Sequence, residues 1–153
     1  MIKGKPRRLE NVFACYGDPL YFVTFATRDR RAILARPEIK KAVDEFGAVS
    51  LRAGNALGRY VIMPDHLHLF VRIGRESRLS DFVRLLKQRL SCKLQELNAP
   101  GPIWQPGFFD HLLRQAESYG QKWNYVRENP VRKQLVASAD EWPYQGECVV
   151  IRW

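Results

Sequence analysis

Leu57-Gly-Arg-Tyr-Val-Ile-Met63, Pro64-Asp65 and His66-Leu-His-Leu-Phe-Val-Arg-Ile73 follow one another without interruption, and this stretch decides the fold. Its two arms are rich in β-branched and aromatic residues, and the Pro-Asp pair between them breaks the extended run. So short a connection predicts that the second arm returns beside the first as an antiparallel hairpin. His66 and His68 open the second arm. On a strand, residues i and i+2 share a face, roughly 6.5–7 Å apart at the base. Both imidazoles therefore point to one side of the sheet while Leu67 enters the opposite layer.

Upstream of the hairpin, Pro37 stands at a first-turn position, and Ile39, Val43, Phe46 and Val49 recur at intervals of three and four until Gly54-Asn55. That spacing predicts a helix. Before it, Tyr21-Phe-Val-Thr-Phe-Ala26 follows the turn signal Gly17-Asp-Pro19 and reads as a strand. Downstream, a second helix is expected from Leu79 to Leu97. Leu79, Phe82, Leu85, Leu86, Leu90 and Leu94 form its apolar stripe, and Arg78, Arg84, Lys87, Arg89 and Lys93 load its flanks. Asn98-Ala-Pro-Gly-Pro102 breaks the chain, and Ile103 to Arg114 contains a fourth strand kinked at Pro106-Gly107. A third helix begins near Ala116 and ends at Glu128 or Asn129, where Pro130 stops or bends it. The order strand, helix, strand, strand, helix, strand, helix is the split βαβ pattern. It predicts an α+β, ferredoxin-like sandwich with an antiparallel sheet and an additional C-terminal helix. Residues 16–138 form the domain, 1–15 a basic arm, and 139–153 a tail packed on the outside.

A length of 153 residues suits one domain. The longest apolar runs are too short to span a bilayer, and the basic start leads into no apolar signal segment, so a cytoplasmic protein without a membrane is expected. Cys15, Cys92 and Cys148 are odd in number and widely spaced, which excludes a disulfide framework. The net charge is +9, carried by seventeen arginines and eight lysines. Arginine grips phosphate bidentately and stacks on bases, so the bias suits nucleic acid better than a lipid surface.

Two constellations bear chemistry. His66-Leu-His68 puts two imidazoles where they can converge on one metal ion, or stand as an ordinary surface or packed pair. Tyr125-Val-Arg-Glu-Asn129-Pro-Val131 puts a phenol and an amide on one helix face, four residues apart. Tyr125 there is either a nucleophile or a core aromatic, and Asn129 a metal ligand or a helix-terminal residue. Tyr119, six residues earlier and about 240° around the helix, cannot share that face.

Pro64-Asp-His-Leu-His-Leu-Phe70 resembles the His-hydrophobe-His signature of single-tyrosine transposases of the IS200/IS605 type. Tyr125 to Val131 is similar to their catalytic helix, in the variant of transposases associated with repetitive extragenic palindromes (REP). Tyr21 to Phe25, Leu79 to Lys87 and Trp104-Gln…Phe109-Asp-His-Leu-Leu-Arg114 extend the likeness over residues 18 to 136. The resemblance implies a metal-assisted transesterification, with Mg²⁺ or Mn²⁺ held by His66, His68 and Asn129. Tyr125 would attack a phosphodiester of single-stranded DNA beside a hairpin, giving a 5′-phosphotyrosine link and a free 3′-hydroxyl. A free phenol ionises near pH 10, so the attack needs help with deprotonation. The family has Asn before the first histidine; Asp65 replaces it here and is expected to face the other way, as a turn residue. DNA contacts are expected from Arg7, Arg8, Arg84, Lys87, Arg89, His111 and Arg114. A homodimer and a monomer both remain open. The alternative on the same fold is a catalytically silent protein that binds single strands or hairpins. Relaxases share the chemistry but carry further domains that this length does not hold.

Overall fold

The computed structural model describes residues 18–152. The basic arm, with Arg7 and Arg8, lies outside them. The elements run β1 (Leu20–Ala26), α1 (Pro37–Arg52), β2 (Ala56–Ile62), β3 (His66–Arg72), α2 (Leu79–Glu96), β4 (Phe109–Leu113), α3 (Ala116–Arg127), α4 (Asn129–Arg132) and β5 (Gln145–Glu147). The sheet order is β4-β1-β3-β2-β5, with every neighbouring pair antiparallel. The first four strands form the expected split βαβ sandwich. The hairpin turn closes where Met63 N donates to His66 O at 2.8 Å.

The sheet separates two cores. Val23, Phe25, Leu67, Leu69 and Val71 face α1 and α2, where Ile39, Val43, Phe46, Phe82, Leu86 and Leu90 meet them. Burying each of these large side chains contributes roughly 1.5–3 kcal/mol, so this layer supplies most of the stability. Val49 and Leu85 turn out to be exposed; they lie beside the stripe, and Ser50 is buried where Val49 was expected. On the other face Leu20, Phe22, Phe70 and Leu113 pack with Tyr119 and Val126 of α3 and with Trp142 and Ile151.

The C-terminal tail packs on the domain and anchors itself through Trp142 and Ile151: Trp142 is buried and its indole N–H donates to Ile62 O at 3.0 Å. The tail also adds β5, which pairs Tyr60 with Gly146 along the edge of β2. Glycine is required there, because a Cβ on residue 146 would stand 2.7 Å from the Tyr60 hydroxyl. The third helix ends close to where it was expected, α3 stopping at Arg127, and the short α4 follows the break at Glu128 (φ −84°, ψ 0°). Pro130 explains the break: it has no N–H for the Val126 carbonyl, and its ring crowds that oxygen.

Candidate active site

Alternation along β3 sends His66, His68 and Phe70 to the second face of the sheet. The register aligns Thr24 of β1 with His68 and, on the other side, with Phe109 of β4. Each imidazole is anchored through Nδ1. His66 Nδ1 lies 2.8 Å from Asp65 Oδ1, and His68 Nδ1 lies 2.7 Å from Thr24 Oγ1. With Nδ1–H donating to these oxygens, both Nε2 atoms carry lone pairs, and they stand 3.1 Å apart. The Asn129 amide reaches in to 2.9 Å from His68 Nε2. Its nitrogen and oxygen exchange places by a simple flip, so the same position can offer an oxygen donor.

Asp65 does not face away as alternation suggested. It precedes the first residue of β3, so strand periodicity does not govern it. Its second oxygen accepts from Arg30 Nε at 2.9 Å, and its backbone carbonyl accepts from Thr27 N at 3.0 Å. The turn is thus clamped from the end of β1, and the carboxylate faces His66 from behind.

Electrostatics keep the pair neutral. Burial pushes His68 down to about 3, with His66, Arg132, Lys122 and Arg30 adding to the effect. His66 is also lowered, first by burial; Asp65 opposes that, and Arg30 and Lys133 reinforce it. Partial burial works against ionising Asp65, yet hydrogen bonds from Arg30 and His66 hold it below the usual carboxylate range. Two neutral imidazoles can bind a metal, and the positive charges of Arg30, Lys122, Arg132 and Lys133 that act on them can attract a phosphate.

These donors fit a divalent cation. Neighbouring ligands on an octahedral ion with bonds of about 2.1 Å stand about 3.0 Å apart, close to the separation of the two Nε2 atoms. Among the described residues no group of three or more His, Cys, Asp or Glu could hold a metal, so a third protein donor here would be of another type. Asn129 is at hand.

Tyr125 and Tyr119 part company. Tyr119 is 6% exposed in the second core, with its hydroxyl pushed up to about 12, first by burial. Tyr125 is 65% exposed, and the Arg132 guanidinium covers its ring at 3.9 Å from the centroid. Because the helix breaks at Glu128, Tyr125 and Asn129 lie on either side of the break rather than on one continuous face. Arg132 links the two parts, stacking on Tyr125 while its charge acts on His68.

The proposed DNA contacts divide. His111 is exposed on β4, paired with Phe22 on the histidine side of the sheet. Arg114 is exposed just before α3. Arg84, Lys87 and Arg89 belong to α2, across the sheet from the histidines. Lys87 is tied down there: Nζ donates to Gln105 O at 3.1 Å and Gly107 O at 2.6 Å. Thr24, Arg30, Lys122, Arg132 and Lys133 were not singled out from sequence. Arg132 and Lys133 follow Asn129 by three and four residues, a helical spacing that could have flagged them. Only strand register could have found Thr24.

A ferredoxin-like sheet thus carries a pair of histidines with an amide beside them and an exposed tyrosine on the adjoining helix. The family model "Transposase IS200 like" matches residues 16–129, and the chain belongs to that family. It is 24% identical over 127 residues to a REP-associated tyrosine transposase of Escherichia coli (strain K12), covering 81% of this chain and 73% of that one. The solved structure of a REP-associated tyrosine transposase bound to a REP hairpin superposes with a TM-score of 0.71 at 22% identity. That match covers 84% of this chain and 76% of the other, and it bears on the fold.

Proposed function

We propose that the chain nicks single-stranded DNA beside a hairpin and transfers the strand, with Tyr125 as nucleophile and His66, His68 and Asn129 as ligands of Mg²⁺ or Mn²⁺. The observation that carries this is the 3.1 Å approach of two neutral Nε2 atoms, closed by Asn129 at 2.9 Å from His68 Nε2. A bound divalent cation supplies Lewis-acid polarisation of a non-bridging oxygen of the scissile phosphate. Asp65 and Thr24 hold the imidazoles in the tautomer that leaves Nε2 free. Arg132 and Lys122 bring positive charge to the phosphate.

The Tyr125 hydroxyl attacks phosphorus, its proton passing to water. The bond to the 3′ oxygen breaks, a bond from phosphorus to the tyrosine oxygen forms, and the departing 3′ oxygen takes a proton from water. The 5′-phosphotyrosine link keeps the phosphodiester energy, so a second 3′-hydroxyl can reverse the step on a new strand. The hairpin partner is proposed from the E. coli relative's name and the hairpin bound in the solved structure. A homodimer and a monomer are both compatible with this chemistry.

The test is a covalent adduct. Wild-type protein incubated with a hairpin oligonucleotide bearing a single-stranded extension and Mn²⁺ should yield a protein–DNA band stable to denaturant, and Tyr125→Phe should yield none. An adduct in Tyr125→Phe refutes the assignment of the nucleophile.

A further inference from the structure

Phe109 is a large apolar side chain left 60% exposed on β4, at the open end of the sheet. Its register partner is Thr24, whose own partner on the other side is His68, so Phe109, Thr24 and His68 form one row on one face. Phe22 links them across the next row: it stacks on His68 at 5.5 Å between centroids and meets Phe109 edge-on at 6.4 Å. Lys122 of α3 stands over Phe22, 5.0 Å from its centroid. His111, exposed, follows Phe109 on the same face of β4.

A packing role does not account for Phe109, because the second core closes with Phe22 and Leu113 and leaves its ring in solvent. An exposed aromatic face beside a lysine, in line with a phosphate-attracting site, is what proteins use to hold single strands: the cation follows the backbone and the ring stacks on a base. Stacking accepts any base, since each has a π-face, but it requires one that is unpaired.

We infer that Phe109 is a stacking platform for an unpaired base next to the scissile phosphate. The single strand crosses the sheet from the histidine pair over Lys122 toward β4. This rests on the proposed nicking site for its direction, but it is a separate claim about where the strand runs.

The experiment measures affinity by fluorescence anisotropy for two labelled oligonucleotides, a hairpin with a single-stranded extension and the same hairpin blunt-ended. Phe109→Ala should bind the extended hairpin roughly tenfold more weakly than wild type, and the blunt one unchanged. Phe109→Trp, which keeps an aromatic face, should restore the affinity, and Phe109→Leu, apolar but without one, should not. Unchanged affinity of Phe109→Ala for the extended hairpin overturns the inference, as does equal weakening on both oligonucleotides. The Tyr125 adduct assay on the same preparations keeps the two claims apart. An adduct with a silent Phe109→Ala leaves the nicking site standing and removes the platform. Phe109-dependent binding of the extended strand without any adduct does the reverse.

Discussion

Asp65→Ala tests how the histidine pair is prepared for a cation. In the wild-type protein Asp65 Oδ1 lies 2.8 Å from His66 Nδ1, and Arg30 fixes the other oxygen at 2.9 Å. Removing the carboxylate has two effects of the same sign. His66 loses the acceptor that keeps its proton on Nδ1, and Arg30, whose Nη2 is 3.4 Å from that nitrogen, is left with an uncompensated charge beside an incoming cation. Outer partners of this kind contribute about 10- to 100-fold to metal affinity, or about 1.4–2.7 kcal/mol. The Asp65 side chain is 26% exposed, so solvent screening places the expected loss near the lower end, about tenfold. Asp65→Asn keeps an oxygen acceptor without the charge and should fall between alanine and wild type. Mn²⁺ titrations of metal-free protein, followed by the electron paramagnetic resonance signal of the free ion, measure this without any turnover. If Asp65→Ala has the wild-type circular dichroism spectrum and binds Mn²⁺ within about twofold of wild type, the carboxylate does not prepare the site.

Trp142→Ala removes a buried indole of the second core together with its bond to Ile62 O, and should destabilise the protein by about 3–5 kcal/mol in urea. A loss below about 1 kcal/mol would mean that the tail adds little to the fold. Stability should also fall with acid in a window set by His68, whose folded value is about 3 against an ordinary 6.5. As pH drops below 6.5 the unfolded chain takes up a proton that the folded chain refuses, so stability is complete above 6.5 and declines progressively toward 3. His66, also lowered, acts in the same direction. Urea midpoints in metal-free buffer from pH 8 to 5 should show this decline in wild type and a shallower one in His68→Gln; parallel curves would count against it.

Most of the fold is legible in local pattern. The Pro64-Asp65 break, the β-branched arms around it and the stripe Phe82, Leu86, Leu90 and Leu94 each specify an element from a few neighbours in sequence. β5 escaped because Gln145-Gly-Glu147 carries no strand pattern; its pairing depends on Trp142 being buried against Ile62 and on a glycine that clears Tyr60. The histidines and Asn129 are visible as residue types at suggestive spacings. Thr24 and Phe109 fall within stretches that carry the family likeness, but nothing in their own neighbourhood assigns either a role. They gain meaning only from the register that aligns them with His68, 44 and 41 residues away in sequence. Asp65 lies in the turn as expected and differs only in the side it faces, because strand alternation does not hold one residue before the start of the strand.

The second face of the sheet is shared between packing and chemistry, and the division follows from where α3 ends. Along β3, Phe70 meets Tyr119 and Trp123 of α3, whereas His68 and His66 extend past the helix to the turn. An unbroken α3 would continue its ladder beyond Tyr125. Pro130 prevents that, and the chain resumes as α4 with Asn129 turned to His68 and Arg132 turned back over Tyr125. The break thus brings the Asn129 amide to the imidazoles, while Tyr125 stays exposed in the last turn of α3. Restoring the helix with Pro130→Ala should therefore do more than remove a buried ring. By favouring a continuous helix it should draw Asn129 away from His68 and weaken Mn²⁺ binding, even though the substituted residue touches neither histidine.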